Sequence, residues 1–213
     1  MTKDHEHAEV QDAGAREARL PPGGLVLAST SPYRRELLGR LGVPFATTRP
    51  DADESRQPGE RPEVLVARLA EAKARSVAAA HPEALVIGSD QVAVLDGEVI
   101  GKPGTPAAAH AQLARASGRS VRFLTGLCLL DTARDRAHVA VEPFTVHFRA
   151  LDAARIDRYL AAEQPYDCAG SFRSEGLGIA LFERLEGDDP NTLVGLPLIR
   201  LVDLLAEAGI DVP

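Results

Sequence analysis

Tryptophan is absent from the 213 residues, methionine occurs once, cysteine twice, and aromatic residues together make up 4%. Two cysteines, Cys128 and Cys168, do not make the disulfide framework that staples small secreted domains. Cys128 lies in the apolar run FLTGLCLL and reads as a core residue. No apolar stretch approaches the roughly 18 residues needed to span a bilayer. The N-terminal stretch MTKDHEHAEVQDAGAREARLPP has no apolar secretion segment and reads as a disordered polar tail over residues 1–22. Its His5 and His7 read as solvated rather than metal-bound, and a cytoplasmic location is expected. Positive charge is also scarce: 24 Lys and Arg against 31 Asp and Glu give a formal net charge of -7. A duplex-binding surface, which needs excess cations to neutralise phosphates, is excluded. A small pocket that holds a polyanion with a few local cations is not.

What is present is ordinary for a globular chain, with 45% hydrophobic and 26% charged residues. At this length one α/β domain over residues 23–213 is the simplest packing. GLVLAS is a short apolar run; Ser31 behind it suits a helix cap and Pro32 the first helical position, so the stretch predicts a strand-to-helix turn with the helix ending at Gly42. VPFATT reads as a second strand and DADESRQPGERP as an acidic loop. From Pro62, Leu65, Val66, Leu69, Ala70 and Val77 recur at helical spacing, and Lys73 falls near that apolar face. ALVIGSD reads as a buried strand ending in polar residues, and VAVLDGEVI as a hairpin turning at Asp96-Gly97. Thr105-Pro106 opens another helix. VRFLTGLCLLD and HVAVEPFTVHF predict an antiparallel pair, LDAARIDRYLAAE and LIRLVDLLAEAG two further helices, with a Gly-rich segment between. Alternating elements with hairpins predict a mixed sheet flanked by helices.

Two strand ends carry chemistry, because ligands in open α/β sheets collect where strands give way to helix N-termini. At LASTSPYRR, hydroxyls, free helix N–H groups, Arg34 and Arg35 make an anion site; read alone, the stretch is equally a capped helix with surface arginines. At VIGSDQV, Asp90 lies where a general base or metal ligand would sit, and alone it is a turn aspartate. Its company shifts the balance: Lys102 follows the hairpin, Lys73 sits on an apolar helix face, and Asp53-Glu54 lie in the acidic loop. Carboxylates with several cations suit Mg²⁺-assisted hydrolysis of a polyphosphate. Asp188 and Asp189 of GDDPNTLVGLP read as an acidic turn, and His138 and His147 as structural.

LASTSPYRRELL, DADES, LAEAKA, IGSDQV, GKP and NTLVGLPL, taken together and in this order from about Leu25 to Leu205, resemble the Maf family of nucleotide pyrophosphatases. The resemblance implies a Maf/ITPase-like fold with a mixed, curved sheet, and hydrolysis of a nucleoside triphosphate to a monophosphate and pyrophosphate with a divalent cation such as Mg²⁺ or Mn²⁺. It implies Asp90 as the proton acceptor, Ser29, Arg34, Lys73 and Lys102 as holders of the triphosphate, and Glu54 with Asp90 at the metal. It also implies a small-molecule nucleotide as the partner and a homodimer.

Members divide by substrate at three positions, which here are Tyr33, Gln91 and Glu175. The branch that cleaves dTTP and UTP carries Arg, Thr and Gln there. This chain resembles instead the YceF-type branch, the 7-methyl-GTP pyrophosphatases, which carry an aromatic residue (often Trp), Gln and Glu. Physical chemistry points the same way. Methylation at N7 makes guanine cationic, so the Tyr33 face would gain a cation–π attraction of ~1–2 kcal/mol when desolvated. The Glu175 carboxylate can accept from guanine N1–H and the 2-amino group, and would repel pyrimidine carbonyl oxygens. The leading expectation is a house-cleaning enzyme for modified nucleotides. A nucleotide-binding regulator of septum formation without turnover is the rival of another class, and a pure binder needs no general base.

Overall fold

LVLA, residues Leu25–Ala28, is buried at every position and forms β1. In the computed structural model, which describes residues 20–212, the expected tail with His5 and His7 therefore lies outside the described residues, apart from Leu20, Pro21 and Pro22. After β1, the Ser31 side chain accepts from the Arg34 N–H and opens α1, Pro32–Gly39. This helix is shorter than its sequence predicts, because Leu41 and Gly42 form a turn with φ of +69° at Gly42. Ala46–Thr48 forms a short, partly exposed β2, and a loop leads to α2, Pro62–Ala78. Then follow β3 (Leu85–Leu95), β4 (Glu98–Ile100), α3 (Pro106–Ala116), β5 (Ser120–Asp131), β6 (Arg136–Phe148) and α4 (Ala153–Glu163). An irregular segment with two short 3-10 turns leads to β7 (Phe182–Glu186), and α5 (Asn191–Val194) and α6 (Leu198–Glu207) follow.

The sheet has seven strands in the order β2-β1-β3-β5-β6-β7, with β4 also on β3. β1 runs parallel to β2 and β3, and the remaining pairings are antiparallel, so the sheet is mixed. Helices flank it, and no helix of the described residues is long and apolar enough to cross a membrane. Leu25, Leu27, Leu37, Leu127, Leu201 and Leu205 form an aliphatic core on one face. A second core carries the aromatic rings: Phe172 stacks edge-on against Phe123 at 5.4 Å and Phe182 at 4.8 Å.

Two glycines set how closely α2 lies on the sheet. A Cβ on Gly88 would come within 2.1 Å of the Ala70 carbonyl oxygen, and one on Gly126 within 2.1 Å of the Val66 carbonyl oxygen. Only glycine permits that approach. Gly126 pairs across the sheet with Asp90, so the close-packed stretch of α2 is the one that faces Asp90.

One expectation needs correction here. Asp90 does not end a strand, and no hairpin starts there: β3 is continuous for 11 residues and Asp90 lies in its middle. The cause is β5, which pairs with β3 without interruption from Leu85 to Val94 and carries the strand through its polar residues.

Candidate active site

A break on the other side of β3 makes the site. β1 accompanies β3 only as far as Ala28 opposite Gly88, and β4 joins only at Ala93. Between them, residues 89–92 have no neighbouring strand on that side. The functional end is thus the end of β1, and β3 overhangs it. A cleft of about 580 Å³ opens there, within the usual size for a small-molecule site.

The turn after β1 supplies hydroxyls. Ser29 Oγ accepts from the Ser31 N–H at 3.1 Å, and Ser31 in turn caps α1. Arg34 lies on the first turn of α1 and donates through Nε to the Gly195 carbonyl at 2.7 Å. Ser89 Oγ donates to the same carbonyl at 2.8 Å. This clamp spends one guanidinium nitrogen and leaves the terminal pair for a ligand. Burial pulls the Arg34 pKa down, while Asp90 and Glu54 pull it back up.

α2 brings the second part. Lys73 and Asp90 are each 7% exposed. Lys73 Nζ lies 2.6 Å from Asp90 Oδ1 and 3.1 Å from Glu54 Oε1. The ammonium therefore sits between two carboxylates, one from the sheet and one from the acidic loop. That loop is tied down by Glu60, whose carboxylate accepts from Arg68 at 2.7 and 2.9 Å and from the Gln57 N–H at 3.0 Å. These bonds hold the Glu60 pKa at about 2, below its ordinary 4.5. Lys102, just beyond β4, is exposed and lines the same cleft.

The far end of the cleft is built from the irregular segment. Tyr33 is half-buried, and the Arg173 guanidinium stands over its ring at 5.8 Å from the centroid. Arg173 is held by Glu163 at 3.3 Å and Asp167 at 3.6 Å. Glu175 is exposed at the rim, and Ser174 Oγ donates to it at 2.8 Å. Gln91 donates its amide nitrogen into the protein, to the Thr192 carbonyl at 2.7 Å among others. Cys168 also lines this end, and burial pushes its thiol up to about 11. Burial likewise pushes Cys128 to about 12.

Ser29, Tyr33, Arg34, Glu54, Lys73, Asp90, Gln91, Lys102 and Glu175 all line this one cleft. Arg35 lines a separate, smaller cleft on the other side of the Ser29–Pro32 turn. Asp189 turns away from metal chemistry: its carboxylate accepts from the Asn191 and Ile199 N–H groups and ties α5 to α6. Sequence reasoning left three contributors unassigned: Thr125, Arg173, and the backbone carbonyls of residues 192, 193 and 195. Carbonyl acceptors carry no sequence signature. From sequence, Arg173 could equally reach a phosphate or stay at the surface; the fold sets its guanidinium over the Tyr33 ring.

Among the described residues, no group of three or more His, Cys, Asp or Glu could hold a metal ion. Glu54 and Asp90 do converge on one cation, the Lys73 ammonium. Two hard carboxylate oxygens fit a Mg²⁺-type ion that takes its remaining ligands from water and substrate phosphates.

A family model described as "Maf-like protein" matches residues 24–208. A Pseudomonas aeruginosa protein named 7-methyl-GTP pyrophosphatase is 61% identical over 189 residues, covering 89% of this chain and 98% of its own length. Proteins of the same name from Nitrosococcus oceani and Colwellia psychrerythraea are 63% and 56% identical; they cover 90% and 88% of this chain, and 96% and 94% of their own lengths.

Proposed function

This chain belongs to the Maf family, and from that premise we propose that it hydrolyses 7-methyl-GTP to 7-methyl-GMP and pyrophosphate. The observation that carries the reading is that one cleft joins a buried carboxylate–ammonium–carboxylate group, Glu54–Lys73–Asp90, to a rim formed by Tyr33, Gln91 and Glu175. The first suits phosphoanhydride hydrolysis and the second suits a cationic purine.

The triphosphate lies along the cations. Arg34, with Nε fixed on Gly195, offers its terminal nitrogens in a preset plane. The Ser29 hydroxyl and the N-terminal turn of α1 add donors, and Lys102 closes the far side. Asp90 Oδ1 is engaged by Lys73, which leaves Oδ2 as the proton acceptor. A water that gives its proton to Asp90 displaces pyrophosphate from the α-phosphorus: the new bond is water oxygen to phosphorus, and the bond broken joins that phosphorus to the α,β-bridging oxygen. Negative charge grows on the departing pyrophosphate, and Lys73 and Lys102, which line the cleft, would offset it. Glu54 and Asp90 would hold a divalent cation, which supplies further charge neutralisation on the phosphate oxygens when bound. At the other end Tyr33 stacks on the base and Glu175 accepts from its edge.

The test is pyrophosphate release with Mg²⁺ or Mn²⁺ from 7-methyl-GTP, GTP, UTP and dTTP side by side. A clear preference for the methylated guanine supports the reading. Turnover that favours UTP or dTTP keeps the chemistry and removes the base assignment. No pyrophosphate from any of them leaves a nucleotide-binding protein without turnover.

A further inference from the structure

Gln91 and Thr125 stand directly opposite each other on β3 and β5. Thr125 is completely buried, and its hydroxyl donates to the Thr192 carbonyl at 2.9 Å. A hydroxyl has one hydrogen, so toward Gln91 this oxygen can only accept. Gln91 Nε2 lies 2.9 Å from it, 2.7 Å from the Thr192 carbonyl and 3.2 Å from the Leu193 carbonyl. All three neighbours of that end of the amide are acceptors, so the end must be the NH₂ group. The two backbone carbonyls decide which end this is, since neither can donate; Thr125, bonded to both Nε2 and the Thr192 carbonyl, fixes where that end sits.

The amide oxygen consequently points away from α5. Among the described residues it has no hydrogen-bond partner, and it is not a buried polar atom left without one. Gln91 lines the cleft, so the cleft receives a carbonyl oxygen. An amide side chain could otherwise offer a donor or an acceptor, and here the protein has made the choice. Glu175, which lines the same cleft, offers only acceptor oxygens once ionised.

From this we infer that Thr125 is a positioning residue for base selection. Acting through Gln91, it adds an acceptor oxygen to a cleft that also holds the Glu175 carboxylate. Such a site matches a base that presents adjacent donors, a ring N–H beside an exocyclic amine, as guanine does. Adenine presents a ring-nitrogen acceptor at that place, and uracil flanks its single N–H with two carbonyl oxygens. Opposed acceptors leave both sides unpaired, which is where large discrimination arises. The inference deepens the proposed function and rests on it, and it adds a cause: Tyr33 addresses the charge of the base, while the Thr125–Gln91 pair addresses its hydrogen-bonding edge.

Two measurements test it. The first needs no variant: the native chain is assayed with 7-methyl-GTP and with 7-methylinosine triphosphate, which lacks the 2-amino donor. A kcat/KM about tenfold lower for the inosine nucleotide is expected, the effect of one lost hydrogen bond. Equal values overturn the acceptor assignment. The second compares Thr125→Val, which keeps the shape and removes the hydroxyl, with Thr125→Ser, which keeps the hydroxyl. In the valine variant the kcat/KM ratio of 7-methyl-GTP to UTP should fall about tenfold, carried in KM, and serine should restore it. Equal loss on both substrates, or no rescue by serine, marks Thr125 as merely structural and overturns its role. If the native chain does not prefer 7-methyl-GTP over UTP, the proposed function itself fails, and that result is distinct from either outcome above.

Discussion

The two ends of the cleft are built by opposite means. At the phosphate end, Lys73 and Asp90 come from the regular elements α2 and β3, are nearly excluded from water, and lock at 2.6 Å. At the base end, Arg173 and Glu175 come from an irregular segment, and Glu175 is exposed. Each end has one carboxylate that pins its loop. Glu60 binds Arg68 and the Gln57 N–H; Glu163 binds Arg173 and accepts from the Leu177 N–H at 2.8 Å. The proposed chemistry therefore sits on Lys73 and Asp90, parts that cannot shift without moving α2 or the sheet. The proposed selectivity is divided: Glu175 lies exposed on the irregular segment, whereas Tyr33 and Gln91 are carried by α1 and β3.

The comparison breaks most visibly at Asp90. Asp90→Asn removes the proposed proton acceptor yet leaves Ser29, Arg34, Lys102 and the base end in place. Pyrophosphate release should fall by about 10³-fold, in the range for loss of a general base. Nucleotide binding, measured by calorimetry, should persist. Unchanged turnover would remove Asp90 from the reaction.

How much of this was legible in the chain follows the same division. Ser31, Pro32 and the apolar spacing of α2 announced their elements, because capping and helical periodicity are local. Lys73 was legible as a cation out of place on an apolar face. The course of β3 through Asp90 was not, since it depends on β5, more than 30 residues away in the chain. Nor were the Gly195 and Thr192 carbonyls legible as the supports of Arg34 and Gln91, because any residue supplies a carbonyl and only the fold selects which. The base-end residues could be assigned roles from family resemblance, whereas local physics alone would leave Tyr33 as packing and Glu175 as a turn residue.

A smaller effect is expected at the base end. Glu175→Gln exchanges an acceptor-only carboxylate for an amide that can also donate, at an exposed position where water tempers the change. The kcat/KM preference for 7-methyl-GTP over UTP should narrow by about tenfold, one charged hydrogen bond's worth. Turnover of 7-methyl-GTP at saturation should change less than the preference does. Equal losses for every base would place Glu175 in the hydrolytic machinery and erase the distinction between the two ends.

The smallest effect concerns the clamp on the phosphate-end loop. The Glu60 side chain is 3% exposed, and hydrogen bonds from Arg68 and Gln57 lower its pKa from the ordinary 4.5 to about 2. A carboxylate with a depressed folded-state pKa favours the native state wherever it is ionised in both states. Its contribution is therefore complete above the unfolded value near 4.5, and it declines as pH falls toward 2. Glu60→Gln should lower Tm at pH 7 by about 2–4 °C, as for a modest loss in a domain of this size. The gap between variant and native chain should close as the pH is brought from about 5 to 2. Because Arg68 also holds the Ser55 carbonyl at 3.0 Å, next to Glu54, the variant should also loosen the Glu54–Lys73 contact. The readout is a modest rise in the Mg²⁺ concentration needed for half-maximal activity. A Tm difference that stays constant from pH 7 to pH 2 would mean that Glu60 acts through packing and not through its charge.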